Sequence, residues 1–251
     1  MPFTFSHPIF AFPIKYISPK RISLTGLLLG SMSPDFEYFI MLEPYSRIGH
    51  SILGLILQAI PLSLLFAFIF HRFIKEQLAV HAPSAFGLNE RIYSFIGEWK
   101  LKNKNDWMFF LISTTIGFFI HIGIDAFTHI QGYFVVHYTI FHKIIIFALP
   151  LYKVLQYSLS IIGLFITLVF MIYHLLHSNP ITSKKLKIST IQKYLFWFSS
   201  ILCSVVITFL KILLTSSENT VGILVVAPIS GLFLGVFITS LVASRSLCVS
   251  K

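Results

Sequence analysis

The sequence predicts an all-α protein, a polytopic transmembrane helical bundle. Of its 251 residues, 56% are hydrophobic and 11% are charged, whereas soluble domains carry roughly 25% charged residues. The apolar residues fall in runs of about 20, the length that crosses about 30 Å of hydrocarbon as a helix. None of the runs alternates apolar and polar residues throughout, so the pattern does not predict membrane strands.

Five segments are predicted to cross the membrane, and they are residues 52–70, 107–127, 155–176, 194–214 and 221–242. Prolines within them, such as Pro61 and Pro228, would weaken a soluble helix but are tolerated in lipid. We expect one membrane domain over residues 1–251. It would consist of a site-forming N-terminal segment, residues 1–50, and a five-span bundle, residues 51–251.

The basic residues, which give a formal charge of +10, lie mainly in the loop after the first span and the loop after the third. They include Arg72, Lys75, Arg91, Lys100, Lys102, Lys104, Lys184, Lys185, Lys187 and Lys193. The positive-inside rule predicts that both loops and the C-terminus are cytoplasmic. Residues 128–154 and 215–220 would then lie outside. This pattern indicates membrane lipids as partners and argues against nucleic acid.

The segment 24–42 resembles a sixth span by hydropathy but is interrupted by Ser-Pro-Asp-Phe-Glu. Ser33 suits an N-cap and Pro34 suits the first helical position, so the segment is predicted to break into two helices there. Asp35 and Glu37 would lie at the positive end of the second, short helix. A broken, re-entrant helix at membrane depth needs a lining of protein or water. Asp35 is therefore a candidate site residue.

A second polar group lies in the second span, where His121, Asp125 and His129 follow one another at intervals of four. This spacing puts them on one helical face. An aspartate at the centre of a membrane helix costs about 2.5–3.5 kcal/mol, so it should face a partner or a cavity. Imidazole and carboxylate one turn apart can ligate a cation together. An Asp–His pair that only joins helices is an equally good interpretation.

The predicted topology places this group in the outer half of its span, at the depth of His50, which directly precedes the first span. His7 and Asp35 can join them if the first fifty residues lie at the outer face. Three basic residues argue for the inside, namely Lys15, Lys20 and Arg21. We favour convergence at the outer face, because a broken acidic helix needs a polar lining.

Four motifs occur in order along the chain. They are Pro2-Phe3-Thr4-Phe5-Ser6-His7-Pro8, Gly30-Ser31-Met32-Ser33-Pro34-Asp35-Phe36-Glu37-Tyr38-Phe39, His50-Ser51 and His121-x-x-x-Asp125-x-x-Thr128-His129. Together they resemble the bacterial membrane family catalogued as domain of unknown function 4184, over nearly the whole chain. The resemblance implies a multi-pass protein of the bacterial inner membrane and carries no established activity.

The same order of residues is similar to the zinc-dependent phospholipase C superfamily, which includes single-strand nucleases and membrane-bound metal-dependent hydrolases. This resemblance implies six metal ligands, which are His7, Asp35, His50, His121, Asp125 and His129. The chain lacks the N-terminal Trp ligand of the secreted enzymes and a later His-x-x-x-Glu helix. The resemblance therefore implies one or two divalent ions, with zinc expected, and not three.

These observations predict a metal-dependent hydrolase that acts on a phosphoester or lipid-derived substrate at the outer face of the inner membrane. Asp35 and Glu37 are the catalytic candidates, with Glu37 as general base or extra ligand. A charge that only stabilises a helix N-terminus is the alternative for Glu37. Two other functions stay open: a transporter or permease that uses the polar groups as an ion path, and a structural membrane protein.

Overall fold

The computed structural model describes residues 4–99 and 101–249, without the side chains of residues 246–249. Pro2, Phe3 and Lys100 of the sequence patterns lie outside these residues. Within the described part, five helices are long and apolar enough to cross a membrane: Ile52–His81, Lys104–His137, Leu151–His177, Thr190–Leu214 and Thr220–Arg245. Each contains one predicted span, so the prediction of a polytopic all-α protein is confirmed.

The helices in chain order are α1 (His7–Ala11), α2 (Ile14–Ile17), α3 (Leu24–Met32), α4 (Phe36–Met41), α5 (Ile52–His81), α6 (Leu88–Ser94), α7 (Lys104–Thr128), α8 (Tyr133–His137), α9 (Leu151–His177), α10 (Thr190–Leu214) and α11 (Thr220–Val249). Short 3₁₀ turns cover Thr4–Ser6, Ser33–Asp35, Ala85–Gly87, Thr139–His142 and Lys184–Leu186. One hairpin, which the sequence did not predict, pairs β1 (Ile144–Ile146) with β2 (Leu149–Pro150) in antiparallel fashion.

The residues group into two compact units. The first consists of Met1–Phe36, Arg47–Leu65 and Lys100–Ile172, and the second consists of Glu37–Ser46, Phe66–Trp99 and Tyr173–Lys251. All six predicted metal ligands fall in the first unit, whereas Glu37 falls in the second. The expectation of a single membrane domain stays a prediction.

In the first unit, α3 packs closely against α7. A Cβ atom placed on Gly26 or Gly30 of α3 would meet the backbone of α7, and one on Gly117 of α7 would meet the backbone of α3. Such small residues allow membrane helices to approach within backbone contact. The backbone N–H of Ser23 also donates to the Ser113 hydroxyl at 2.8 Å. The contacts of Gly30 and Gly117 place the C-terminal end of α3 beside α7.

The N-terminal segment breaks where predicted, since the 3₁₀ turn Ser33–Asp35 separates α3 from α4. The predicted capping role of Ser33 is wrong. Its hydroxyl donates back to the Gly30 carbonyl at 2.7 Å, and it caps no following helix. Pro34 lies in the first positions of the turn, where its missing N–H leaves no bond unmade. The second helix starts at Phe36, two residues after the predicted position.

In the first part of α5, a wide π turn at Leu55–Ala59 precedes Pro61. Proline lacks the N–H that would bond to the carbonyl of Leu57, and a π turn is one way a helix accommodates that loss. The helix then continues to His81, beyond the predicted end of the span at residue 70.

In the second unit, α10 and α11 pack through another small-residue contact. A Cβ atom on Gly231 would meet the backbone of Ser204, and one on Gly235 would meet that of Ser200. The hydroxyl of Ser204 donates to the Pro228 carbonyl at 2.7 Å. Close packing and interhelical hydrogen bonds are therefore what join these two helices, as expected in lipid.

Candidate metal centre

Helix α7 supplies the centre of the site. His121 and Asp125 are one turn apart and buried, and His121 Nε2 lies 3.1 Å from Asp125 Oδ2. His129 directly follows the helix, with its Nδ1 atom 3.2 Å from Asp125 Oδ1. Helical spacing alone brings these three side chains together, so their proximity is no test of a site.

The other three predicted ligands come from separate stretches of chain, and the structure brings them to α7. His7 opens α1, Asp35 ends the 3₁₀ turn, and His50 lies in the loop before α5. Asp125 has His7 Nε2 at 3.8 Å from Oδ1 and His50 Nε2 at 3.3 Å from Oδ2. Asp35 Oδ1 lies 3.6 Å from His50 Nε2 and 3.8 Å from His121 Nε2. We call these six residues the polar cluster.

Two groups within the polar cluster have donor atoms close enough to share an ion. They are His7, His121 and Asp125, and Asp35, His50 and His121, with the donor atoms of each group within 4.8 Å of one another. Neither group includes His129 or Glu37. Both groups contain His121. The ring nitrogen that carries its lone pair therefore decides which group His121 can serve as a metal ligand.

The orientation of His121 is fixed by a backbone contact. Its Nδ1 atom lies 2.7 Å from the carbonyl oxygen of Ser31, on the last turn of α3. A carbonyl oxygen only accepts hydrogen bonds, so Nδ1 carries the proton and the neutral ring keeps its lone pair on Nε2. That lone pair faces the oxygens of Asp125 and Asp35. Two acceptors face each other unless a cation or a second proton lies between them.

Asp35 is oriented in a similar way. The hydroxyl of Thr4 donates to Asp35 Oδ2 at 2.5 Å, which leaves Oδ1 toward His50 and His121. Burial raises the pKa of the Asp35 carboxyl, while His121 and the Thr4 hydroxyl act in the opposite direction. The ionised carboxylate therefore depends on positive charge close to it.

His7 is fully buried, and neither of its ring nitrogens has a hydrogen-bond partner among the described residues. Its ring stacks on that of His121 with the centroids 3.8 Å apart. Burial lowers the pKa of His7 well below its ordinary value, so the ring is neutral. A buried neutral imidazole with two unpartnered nitrogens is rare in folded proteins and indicates a water molecule or an ion as the missing partner.

Two buried side-chain atoms of α7 also lack a hydrogen-bond partner in the part of the chain that the structure describes. His121 Nε2 and Asp125 Oδ1 are buried and make no hydrogen bond within the described chain, although ion-pair partners lie 3.1 to 3.8 Å away. The groups approach without hydrogen-bond alignment. Over the described residues, the ion-pair partners of Asp35 and Asp125 are imidazoles, and neither carboxylate pairs with Lys or Arg. The cluster thus has negative charge and lone pairs directed inward.

The distances in the cluster fit a bound metal. Tetrahedral ligands at about 2.0 Å from an ion lie about 3.3 Å from one another. Asp35 Oδ1, His50 Nε2, His121 Nε2 and Asp125 Oδ2 are separated by 3.1, 3.3, 3.6 and 3.8 Å along four edges, although the four residues do not form one group with all donor atoms within 4.8 Å. Imidazole nitrogen and carboxylate oxygen are the donors that zinc and similar ions use in proteins. The residues therefore fit the implied metal.

Two histidines of the cluster are partly exposed. The side chains of His50 and His129 are 31% and 27% exposed, whereas those of His7 and His121 are at most 1% exposed. His50 and His129 are therefore the histidines of the cluster that solvent or a small molecule can contact directly.

The catalytic candidate Glu37 is placed differently. Its carboxylate accepts a hydrogen bond from the Ser46 hydroxyl at 2.9 Å, within the second unit. A role for it as general base or ligand stays a prediction. Two further histidines in the connection after α7 bond to backbone: His137 Nδ1 donates to the Tyr133 carbonyl and His142 Nε2 to the Val135 carbonyl.

Sequence reasoning missed two groups that orient the cluster, the Thr4 hydroxyl and the Ser31 carbonyl. Both belong to the first two of the four motifs, Thr4 close to His7 and Ser31 close to Asp35. A threonine three residues before a candidate ligand is a weak signal for Thr4. For Ser31 the contact is made by backbone, which every residue type offers, so the side chain carries no signal.

The fold and the polar cluster define a multi-pass helical membrane protein that holds a buried group of histidines and aspartates. The chain belongs to the family described as Domain of unknown function (DUF4184), whose model matches residues 1–241. The resemblance to that family is thereby confirmed, and the similarity to the phospholipase C superfamily stays a prediction. Comparison with curated proteins and with solved structures gave no match.

Proposed function

We propose that the polar cluster binds two divalent metal ions, with zinc as the expected metal, and that the protein is a metal-dependent hydrolase of the membrane surface. One observation carries the proposal. His7, Asp35 and His50 come from three distant stretches of chain and meet His121 and Asp125. Within this group, both ring nitrogens of His7, His121 Nε2 and Asp125 Oδ1 are buried without a hydrogen-bond partner among the described residues. A cation would satisfy all of these atoms together.

The proposal of two ions rests on Asp125, because its two carboxylate oxygens face different histidines. Its Oδ2 atom faces His50 and His121, and its Oδ1 atom faces His7 and His129. His121 has one lone pair to give, because Ser31 fixes the proton on Nδ1. It can therefore belong to only one ion. Asp35, His50, His121 and Asp125 Oδ2 would hold one ion, at what we call the four-ligand site, and Asp125 Oδ1 would be available to a second ion.

The second ion would be held by His7 and Asp125 Oδ1, and His129, whose Nδ1 atom lies 3.2 Å from Asp125 Oδ1, would have to move toward His7 to supply the third protein ligand. Structural zinc sites have four protein ligands, whereas catalytic sites keep a position open for water or substrate. A bound ion at such a site lowers the pKa of its water toward about 7 and polarises a phosphoryl or acyl oxygen. The partial exposure of His129 supports access of water or substrate to this ion.

The chain itself supplies orientation and exclusion of water. Thr4 and Ser31 hold Asp35 and His121 in place, as partners of metal ligands commonly do. The stacked, buried rings of His7 and His121 exclude solvent from the inner side. We further propose a phosphoester or lipid-derived substrate at the outer face of the inner membrane. The similarity to phospholipase C and the predicted depth of the cluster support this class.

Metal content tests the binding step. The protein should be purified with an affinity tag that contains no histidine, in detergent or nanodiscs, and analysed by inductively coupled plasma mass spectrometry. We expect stoichiometric metal in the wild type, and its loss in His121→Gln. His137→Gln is the matched control, because His137 is exposed in the same unit and bonds only to the Tyr133 carbonyl. Metal-free wild-type protein after zinc addition would refute the proposal and favour an ion path or polar packing.

Hydrolysis is tested separately. The metal-loaded protein should cleave bis(p-nitrophenyl) phosphate or a short-chain phosphatidylcholine, and chelation or His121→Gln should abolish the activity. Bound metal without hydrolysis of phosphodiesters or acyl esters would leave a structural metal protein. Ion flux through reconstituted protein that His121→Gln abolishes would instead support the transporter alternative.

A further inference from the structure

The connection between α8 and α9 carries a short hairpin with apolar side chains on both faces. It consists of β1, the turn residues Phe147 and Ala148, and β2, with Ile146 opposite Leu149. We call it the apolar hairpin. Its residues are exposed over most of their surface: 71% for Ile144, 57% for Ile145, 50% for Ile146 and 87% for Phe147. Four consecutive apolar residues in water would be unfavourable, because their apolar area stays hydrated.

The turn of the hairpin is built from unusual residues. Phe147 and Ala148 both have left-handed backbone angles, with φ of 50° and 58°. Two-residue hairpin turns with this geometry strongly prefer Asn, Asp and Gly, since a bulky side chain is strained there. Phe147 is almost fully exposed, so contacts within the chain offset little of that strain. An apolar environment outside the chain would offset it.

The base of the hairpin is tied to α8 and to the first residue of α9. The His142 ring donates from Nε2 to the Val135 carbonyl of α8 at 3.0 Å. The backbone N–H of Leu151, the first residue of α9, donates to the Lys143 carbonyl at 2.9 Å. One apolar segment ends at α8 and the next begins at α9. The hairpin is therefore held between the end of one candidate span and the start of the next.

The surroundings of the hairpin match a lipid surface. Lys143, at its base, is exposed and can reach lipid phosphate. Tyr133 and Tyr138, in the same connection, are also exposed. Tyrosines are enriched at the level of the headgroups, where the ring is in contact with acyl chains and the hydroxyl with water. The connection thus combines a basic residue, exposed tyrosines and an apolar tip, which is the composition of an interfacial membrane anchor.

We propose that the apolar hairpin inserts its tip, Phe147 with Ile145, into the lipid leaflet that borders the connection between α8 and α9. Its binding partner is phospholipid, with apolar side chains among the acyl chains and Lys143 at the phosphates. The hairpin belongs to the same compact unit as the polar cluster. The inference does not depend on bound metal or on hydrolysis.

Depth measurement in nanodiscs tests the insertion. Cys203 and Cys248 are replaced by serine, a single cysteine is introduced by Phe147→Cys, and an environment-sensitive nitrobenzoxadiazole label is attached. We expect blue-shifted emission that doxyl-labelled phosphatidylcholine quenches several-fold more strongly than aqueous iodide does. Ile145→Cys is the second variant, in case Phe147→Cys does not fold.

Glu218→Cys is the matched control, because Glu218 is exposed and polar in the other connection predicted to lie outside. Its label should be quenched by iodide and not by doxyl lipid. If the labels at residues 145 and 147 behave like the control, the hairpin lies in water and the proposal is wrong. Protection from both quenchers would show burial against protein and would also overturn it.

Discussion

His121 Nδ1 lies 2.7 Å from the carbonyl oxygen of Ser31, a residue 90 positions earlier in the chain. The contact makes the tautomer of a membrane-embedded imidazole depend on the packing of two helices. If α3 moved away from α7, the ring could exchange its proton between nitrogens, and the lone pair facing Asp125 would no longer be fixed. Helix packing and ligand geometry are therefore coupled at this point.

The first prediction tests that coupling through Gly30→Ala. The added methyl group would collide with the backbone of Thr114 on α7. Overpacking of this kind costs about 1–3 kcal/mol, and it would also shift the Ser31 carbonyl away from His121. We expect a lower unfolding temperature in detergent together with reduced metal content. Gly123→Ala is the control, since its methyl group would meet no atom within 4 Å. Equal stability and metal content in both variants would contradict the coupling.

The second prediction concerns Thr4, which orients Asp35. Thr4→Val keeps the shape of the side chain but removes the hydrogen bond to Asp35 Oδ2. Loss of such a partner typically weakens metal binding by about 10–100-fold. Competition with a chromogenic zinc chelator would measure the change. Thr115→Val is the control, because the Thr115 hydroxyl bonds only within its own helix, to the Leu111 carbonyl. An unchanged affinity in Thr4→Val would remove Thr4 from the site.

Much of the fold could be predicted, because lipid imposes simple rules on sequence. Runs of apolar residues located the five spans, and the Ser-Pro-Asp sequence located the break after α3. The detail at Ser33 was mispredicted for a physical reason. A serine at the end of a helix can accept from the next helix or donate to its own preceding turn, and the sequence does not distinguish the two. Here it donates to Gly30.

The candidate site was predictable in part. Periodicity alone placed His121 beside Asp125, and the motif order pointed to His7, Asp35 and His50. The supporting contacts were not predictable, because Ser31 acts through its backbone. The apolar hairpin was missed for a different reason. Its turn residues, Phe147 and Ala148, are not turn formers, so local sequence gave no signal.

The third prediction is the membrane orientation. Reporter proteins inserted in the 72–106 and 177–193 loops should read as cytoplasmic, and one inserted after residue 218 as external, since the basic residues lie in the first two. Alkaline phosphatase and green fluorescent protein fusions report the two sides with opposite signals. An external signal from either basic loop would invert the orientation. It would then place the polar cluster toward the cytoplasm and exclude a substrate outside.

The fourth prediction concerns acid stability in the second unit. The Ser217 hydroxyl and the Lys211 ammonium, 3.1 Å away, lower the pKa of Glu43 below its ordinary value of 4.5. A depressed pKa stabilises the fold above pH 4.5 and loses that effect as the pH falls through the folded-state value. Glu43→Gln should therefore be less stable than wild type at pH 7, by less than about 1 kcal/mol. The difference should shrink in acid. Glu218→Gln, at an exposed carboxylate, should show no such change.

The last prediction tests the two-ion arrangement, because each ligand belongs to a defined ion. Asp35→Asn should remove the ion at the four-ligand site and leave the other, whereas His7→Gln should do the reverse. Asp125→Asn should lower occupancy at both, since Asp125 has one oxygen toward each set. Metal per chain, measured by mass spectrometry on folded, monodisperse protein, distinguishes these outcomes.

Cobalt substitution adds a spectroscopic check on the same variants. Four-coordinate cobalt absorbs visible light far more strongly than six-coordinate cobalt, so the band from the Asp35 site should vanish in Asp35→Asn and persist in His7→Gln. If that band persists in His7→Gln, its lower metal content does not come from loss of fold. The ligands of the remaining ion come from α7, the 3₁₀ turn and the loop before α5, so they meet only in the folded chain. A wild type with one ion, lost equally in all three variants, would reduce the centre to a single metal with Asp125 as an ordinary ligand.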